Sequence, residues 1–549
     1  PDQEIVDAVV ESLGLPKNRL SERSGNTLPE DADEFNRLFI NVDSGIVTNQ
    51  DVFARRVMGT VSYYKTFSEE LYPSVKVEEV LCPLTDYQFS IYEKSRQEER
   101  RKESKAKRNG GDAGGLFGSN GQVYRFYSRA NCNFVFPEAI KRPFPTSASV
   151  MKGEVDMAEE GRDEEDVEKD LEIEAAGSGE AGAVNKLKGK RDIVKEYHEK
   201  LNAALSQLGS RSGEFLTQEQ LEKVYSPKMA AIVKRLMVSP GTSLVYSQFR
   251  TVEGLGVLGM ALKHLGWAEL KLKKTNKGEF VIDTNDIDAL TSKPFYTMFT
   301  GNNDESKILL KIFNRDLETV PENLRNMADK LNLKVIMITQ SGAEGISLKN
   351  VRQVHVMEPY WNQIRVDQVI GRAVRTCSHV GLPRDQRNVT VYLYRSVFTP
   401  EQLNGSFTIR TQDKSETSDQ YIHSIAQRKA SVINKLLATL QNSAIDCALN
   451  AKYHQHMNNL RCFSFPVNMK PEALTYEFDI SKDKMSSMGM NIVQKEWEGQ
   501  VLITKKGQFL IRPETSEVYD YDLYLESGRL VRLGRLVEDG KTRRIEFEL

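Results

Sequence analysis

Cysteine is scarce in this 549-residue chain: Cys82, Cys132, Cys377, Cys447 and Cys462 are the five, odd in number and never spaced as CxxC. That spacing argues against a disulfide framework of the kind that staples small secreted domains, and the natural reading is a reducing compartment, cytoplasmic or nuclear. Long apolar runs are missing too, none approaching the roughly 18 residues of a membrane span. The opening PDQEIVDAVV has neither an initiator Met nor the basic-then-apolar pattern of a signal peptide, so the chain reads as a fragment or a processed product. An excess of one charge sign is the last absence, with a formal net charge of -2. That balance hides a segregation: Glu154 to Glu174 hold 12 acidic and 2 basic residues, a local -10 that leaves +8 on the remainder. The surplus fits a phosphate-backbone partner.

The apolar fraction of 39% is enough for ordinary cores, and the length calls for several units. QEERRKESKAKRNGGDAGGLFG, from residue 97, and the acidic run ending in AAGSGEAGAVN lack apolar periodicity and read as solvated insertions within 97–225. The texture changes over 226–398. Short apolar runs SLVYSQF (from Ser243), FYTMFTG (from Phe295), LKVIMIT (from Leu333), QVHVMEP (from Gln353) and NVTVYLYR (from Asn388) alternate with helical patterns such as GLGVLGMALKHLG. Strand alternating with helix predicts an α/β fold, a mostly parallel doubly wound sheet covered on both faces. Ligands of such sheets bind beyond the carboxyl ends of the strands. Segment 399–470 is a helical extension, with an amphipathic helix over Ser418 to Gln441 opened by a Ser or Asp cap. Segment 471–549 reads as a small antiparallel β-meander, with a partly closed barrel as the variant of that reading.

Two polar segments fall at the expected strand ends. TQSGAEGISL, Thr339 to Leu348, follows the third of the strand runs, and its small residues let backbone amides approach a phosphate or ribose. PYWNQIRVDQVIGRAVR, Pro359 to Arg375, follows the fourth. Within it Gly371 interrupts a helical pattern, at a cost of about 1 kcal/mol against alanine, beside Arg372 and with Arg375 one turn further along the same face. A glycine there needs a packing reason or a ligand.

SLVYSQF, TQSGAEGISL and QVIGRAVR resemble, in order, motifs IV, V and VI of superfamily 2 helicases and translocases, the last with Gln368, Gly371, Arg372 and Arg375 all in place. SPKMAAIVKRL, CNFVFP and CPLTDYQFSIYEKSRQ look like segments that lead into the second motor domain of remodelling ATPases. HVMEPYWNQIRVDQVIGRAVRTCSHVGLPRDQRNVTVYLYR, GTVSYYK and SAIDC resemble most the helicase-like ATPases of nucleocytoplasmic large DNA viruses, including their early transcription factor ATPase subunits.

That resemblance implies a RecA-like domain that works with ATP, Mg2+ and nucleic acid, double-stranded DNA above all, alongside the transcription machinery and with no membrane role. A virion is then a compatible location. It implies that Arg372 and Arg375 are arginine fingers, with Gln368 and Gly371 on the nucleotide side and Gly345 and Ser347 bordering the nucleotide. Thr339, Ser341 and the amides near Gly342 would hold a nucleic-acid phosphate, as would the loop around Gln248 and Arg250. The sequence has no G-x-x-x-x-G-K-[ST] phosphate loop and no Asp-Glu pair after a buried strand. The expectation is therefore that residues 1–96 are a connector following a first RecA-like domain, and that the chain alone is inactive. A non-catalytic scaffold with a motor fold, binding nucleic acid or protein, is the alternative.

Other constellations carry less. Cys447, His454, His456 and Cys462 match no common zinc spacing, so no metal site is expected. Tyr360 and Trp361 are read as packing anchors rather than base-stacking residues. Cys377 and His379 lie near no evident base or orienting group in the sequence, which gives no reason to expect a nucleophile.

Overall fold

A computed structural model of the chain describes residues 12, 26–41, 45–63, 71–108, 125–143, 183–283, 292–299, 303–339, 345–404, 416–447, 480, 483, 499–504, 507–513, 515–521, 524–525, 532–539 and 542–547. It divides into two units, residues 66–430 and residues 1–65 with 431–549.

The larger unit is built on seven strands: β1 (Ser74–Pro83), β2 (Thr242–Tyr246), β3 (Ala268–Glu269), β4 (Phe295–Phe299), β5 (Leu333–Ile338), β6 (Val351–Val356) and β7 (Asn388–Val397). Their order across the sheet is β1-β7-β6-β2-β5-β4-β3, and every pairing is parallel. The doubly wound RecA-like arrangement is therefore present. Its edge strand β1 comes from the segment read as a connector, because alternating runs such as SVKVEEVL are ambiguous until a neighbour pairs with them.

Side chains leave the sheet alternately, and both faces are covered. Val245, Val335, Met337 and Tyr394 face one core with α3 (Ala183–Ser210), α4 (Pro227–Met237) and α5 (Leu255–His264). Leu244, Tyr246, Ile336, Ile338, Val354 and Val356 face the other with α6 (Asp304–Phe313), α7 (Glu322–Lys330) and α8 (Gln363–Ala373). Within 97–225, the parts outside the two segments read as solvated contribute to the first of these cores: Phe134 and Phe136 of the CNFVFP run are buried there, with Tyr197, Leu201 and Leu208 of α3. Phe134 and Phe136 follow α2 (Phe126–Asn133), which packs with α1 (Asp86–Arg108).

The long helix expected from Ser418 is α9 (Ser418–Asn442). Its cap differs from the expectation. Thr417 Oγ1 accepts from Gln420 N at 3.2 Å, while Asp419 is buried and used elsewhere.

In the smaller unit the helices Ala32–Phe39 and Gln50–Val57 pack through Phe35, Phe39 and Phe53, and Asp483 takes both Arg55 and Arg56 at 3.1 and 3.0 Å. The expected meander is there as five antiparallel strands, from Gln500–Thr504 to Thr542–Phe547, each paired with its sequence neighbour. No pairing among the described residues closes it into a barrel. Cys447 is disulfide-bonded, whereas Cys82, Cys132 and Cys377 are free thiols. A single bridge leaves no repeated cysteine spacing, which is why the sequence pattern missed it. His454, His456 and Cys462 lie outside the described residues. Among the described residues no helix is long and apolar enough to cross a membrane, and no group of three or more His, Cys, Asp and Glu could hold a metal ion.

Candidate functional site

Hydrogen bonds between neighbouring strands line up the carboxyl ends of β5, β2 and β6: Ser247 N donates to Ile338 O at 3.3 Å, and Met357 N to Tyr246 O at 3.0 Å. The three segments singled out in the sequence therefore leave the sheet side by side, from Ser247, Thr339 and Met357.

The segment after β5 is described again from Gly345. Ile346 and Leu348 are buried in the core and Gly345 and Ser347 are exposed, an alternation that anchors the strip while turning its other side outward. Gly345 has φ +75°, a left-handed conformation that favours glycine. Asn314, which caps the end of α6, clamps the strip from below: its Nδ2 donates to Ser347 O at 2.8 Å and its Oδ1 accepts from Lys349 N at 2.9 Å.

Helix α8 starts where Asn362 Oδ1 accepts from Ile364 N at 3.0 Å, and it buries Val366, Val369 and Ala373 against the sheet. The opposite face carries Ile364, Gln368 and Arg372 at successive i, i+4 positions. Here the sequence reading needs correcting: the helix ends at Ala373, so Arg375 is not one turn further along it but in the turn that follows. Arg375 folds back, and its Nε donates to Gly371 O at 3.1 Å, a favourable place for a cation at a helix C-terminus. Gly371 thus lies in the last turn. A Cβ there would meet nothing within 4 Å among the described residues, so their packing does not explain the glycine. Both arginines are half-buried, and among the described residues Arg375 makes no ion pair with a carboxylate.

The backbones of these two segments are joined. Leu348 N donates to Arg372 O at 3.0 Å and Asn350 N to Ser378 O at 2.9 Å, which sets exposed Gly345 and Ser347 close in sequence to a segment bonded to the arginine-bearing helix end. These bonds bring Gly371, Arg372 and Arg375, with Gln368 one turn earlier on the helix, to the segment carrying Gly345 and Ser347 just before the amino end of β6, and not to the carboxyl strand ends where the sequence placed the ligand. Ser341 and Gly342 lie outside the described residues.

The remaining expected contacts are placed differently. Thr339 is buried at the end of β5. Gln248 is fully buried: its Oε1 accepts from Arg129, and its Nε2 donates to Pro359 O at 3.3 Å. With its amide engaged inside the protein, Gln248 is placed as internal support, whereas half-buried Arg250 and exposed Thr251 give that loop surface access. The loop is pinned by an Arg142–Glu253 pair, Nε to Oε1 at 2.7 Å and Nη2 to Oε2 at 3.1 Å. Tyr360 packs under the Arg365 guanidinium at 4.7 Å, which suits the packing role read for it.

Beneath these loops lies a buried polar network that sequence reasoning missed. Glu358, at the end of the QVHVMEP run, accepts from Ser247 Oγ at 3.0 Å, Gln248 N at 2.5 Å and Asn133 Nδ2 at 3.0 Å. Burial pushes its carboxyl above the usual range, against the pull of the Gln248 N–H and Lys228. Asn133 Oδ1 accepts from Lys228 Nζ at 2.8 Å, and Lys228 also donates to Asp419 Oδ2 at 2.6 Å. Desolvation opposes the Lys228 charge, but Asp419 and its other acidic neighbours outweigh it and raise the amine above its ordinary value. A signal was available: in SPKMAAIVKRL, Lys228 falls on the apolar stripe of its helix with Ile232, where a charge needs a partner.

The parallel doubly wound sheet thus carries a glycine-containing strip and a Q-x-x-G-R-x-x-R helix end that are main-chain bonded to each other. Residues 269–377 match the family described as Helicase conserved C-terminal domain. The chain's relatives are helicases and termination-factor homologues of large DNA viruses. It is 29% identical over 493 residues to a protein of Acanthamoeba polyphaga mimivirus whose name places it among the ATP-dependent RNA helicases, covering 83% of this chain and 55% of that protein. It is 30% identical over 272 residues to a termination factor NPH-I homolog of African swine fever virus, covering 47% of this chain and 37% of the other. A third relative, from Invertebrate iridescent virus 3 and named as a helicase, is 28% identical over 46% of this chain and 23% of its own length. The chain thus spans about half of the mimivirus protein and about a third of the African swine fever virus one. It is also similar to a crystal structure of the C-terminal part of the Fun30 ATPase domain, at 14% identity and a TM-score of 0.32, over 66% of this chain and 99% of the other.

Proposed function

We propose that this chain is the C-terminal motor half of a nucleic-acid-dependent ATPase that moves on double-stranded DNA in viral transcription or DNA remodelling. The observation that carries this reading is the gathering of Arg372 and Arg375 at the end of α8, main-chain bonded to the segment that presents Gly345 and Ser347. In this reading the two guanidinium groups, always charged and planar, meet the negative charge that spreads over the γ-phosphate oxygens during transfer to water. Gly371, with open space where a side chain would stand, lets the nucleotide approach the helix end. Gln368, on the same helix face as Arg372, lines that approach, and Gly345 and Ser347 border the nucleotide. Arg250 and the segment around Ser341 and Gly342 form the nucleic-acid side. Triphosphate binding also calls for a phosphate loop, and this sequence contains none, so the arginines act on a nucleotide held by a separate phosphate-loop domain. Mg2+ accompanies such a nucleotide. Among the described residues no group of three or more His, Cys, Asp and Glu could hold it.

The test uses the full-length protein that carries this sequence. Arg372→Ala and Arg375→Ala should each leave binding of a fluorescent ATP analogue within about threefold of wild type, while DNA-stimulated turnover falls by roughly 10³ to 10⁵. Near-normal turnover in both variants would refute the finger roles. The isolated chain should hydrolyse no ATP, and arginine-dependent hydrolysis by it would show that the phosphate-holding residues have been misassigned.

A further inference from the structure

We propose that Ser378 and His379 are positioning residues for Arg375, forming a hydrogen-bond relay that fixes the main chain of this arginine to the first residue of strand β6. The relay deepens the finger reading above and rests on it.

The relay can be traced atom by atom. Val351 O, at the start of β6, can only accept, so His379 Nε2 donates to it at 2.7 Å. In a neutral ring Nδ1 is then an acceptor, and the one proton of the Ser378 hydroxyl is shared between it and Arg375 O, each at 2.8 Å, so the hydroxyl ties both the ring and the arginine's main chain. The hydroxyl oxygen accepts from Arg375 N at 3.3 Å. Burial, with Arg352 and Arg387 nearby, holds the His379 imidazole below its ordinary value and keeps it neutral, although its bond to Val351 O works the other way. Both residues are buried, Ser378 at 7% and His379 at 1% exposure.

Independent ties hold the same turn. Ser378 N donates to Arg375 O at 3.1 Å, closing a four-residue turn in which Cys377 takes φ +61°, and Cys377 N donates to Leu71 O at 2.7 Å. A non-glycine residue keeps a left-handed conformation of this kind when its surroundings over-determine it. Asn350 N donates to Ser378 O at 2.9 Å, so the turn is strapped to the segment after β5 as well as to β6.

The finger has left the helix when it turns back toward Gly371 O. Its Cα is therefore placed by this turn and not by the helical ladder. Catalytic groups need positions held to within about 0.5 Å by residues that are themselves locked. The relay supplies that lock from the centre of a rigid sheet.

DNA-stimulated ATP hydrolysis by the full-length protein tests the relay. Ser378→Ala should lower kcat roughly 10- to 100-fold, with the KM for ATP within about threefold of wild type. Ser378→Thr, which keeps the hydroxyl, should restore most of the rate. The double variant Ser378→Ala with Arg375→Ala should turn over no more slowly than Arg375→Ala alone, because a residue acting through the arginine has nothing left to act on. Wild-type kcat in Ser378→Ala, or a further roughly tenfold loss in the double variant, would overturn the relay and leave the finger reading intact. Wild-type turnover in Arg375→Ala would overturn the finger reading, and the relay with it. Should Ser378→Ala not fold, His379→Gln replaces it, keeping a donor for Val351 O while losing the Nδ1 acceptor, with the same outcomes on either side.

Discussion

Lys228→Met is the perturbation that most directly tests the network beneath the candidate site. The lysine is fully buried, and its Nζ donates to Asp419 Oδ2 at 2.6 Å and to Asn133 Oδ1 at 2.8 Å. Methionine fills a similar volume but removes the charge. Among the described residues Asp419 would then keep the Ser396 N–H at 2.9 Å, and Asn133, whose Nδ2 supports Glu358, would lose the donor to its other end. Breaking a buried pair from one side costs about 3–5 kcal/mol, because it leaves a desolvated charge without its partner. Against a typical domain stability of about 5–15 kcal/mol, that is about a fifth of the total or more. Urea unfolding followed by circular dichroism should show the midpoint falling accordingly, and Lys228→Met with Asp419→Leu should recover at least about half of the loss. A cost below about 1 kcal/mol for Lys228→Met would refute the reasoning, since it would mean that the pair is effectively solvated.

Two further outcomes separate structural from functional roles. Gly371→Ala adds a Cβ into open space in the last turn of α8, so the thermal midpoint should hold or rise, by up to about 1 kcal/mol of helix propensity; DNA-stimulated ATP hydrolysis should fall nonetheless, and unchanged turnover would show that nothing approaches this glycine. His355 is buried between Tyr394 OH at 2.8 Å and Gln353 Oε1 at 3.1 Å, and burial, with Arg235 adding to it, pushes its imidazole down to about 3. The unfolded chain takes up that proton below its ordinary pKa of about 6.5 and the folded chain does not, so this stability is present above pH 6.5 and is lost as pH falls toward 3, by about 1.4 kcal/mol per unit. Between pH 7 and 5, wild type should lose about 2 kcal/mol more than His355→Gln, and equal slopes in a urea titration would contradict it.

Most of the fold could be read from local pattern. The five strand runs from Ser243 to Arg395 appear as β2, β4, β5, β6 and β7, because apolar runs bounded by turn residues have few other ways to bury themselves. The C-terminal meander could be read for the same reason, each strand pairing with its sequence neighbour. Edge strand β1 could not, since its partner β7 lies some three hundred residues later in sequence, and period-2 patterns do not name their neighbours.

The candidate site divides in the same way. Gln368, Gly371, Arg372 and Arg375 stand in one short motif, so their grouping is covalent and readable in the sequence alone. Tertiary structure decided that Arg375 lies beyond the helix end, that Gln248 is spent on internal hydrogen bonds, and that Asn133, Lys228, Glu358 and Asp419 converge from four distant segments. It also decided that Ser378 and His379 lean on Val351. The physical reason is one of range. Propensity and periodicity act over a few residues, whereas a buried charge or hydroxyl takes its role from whichever groups the folded chain brings within about 3 Å.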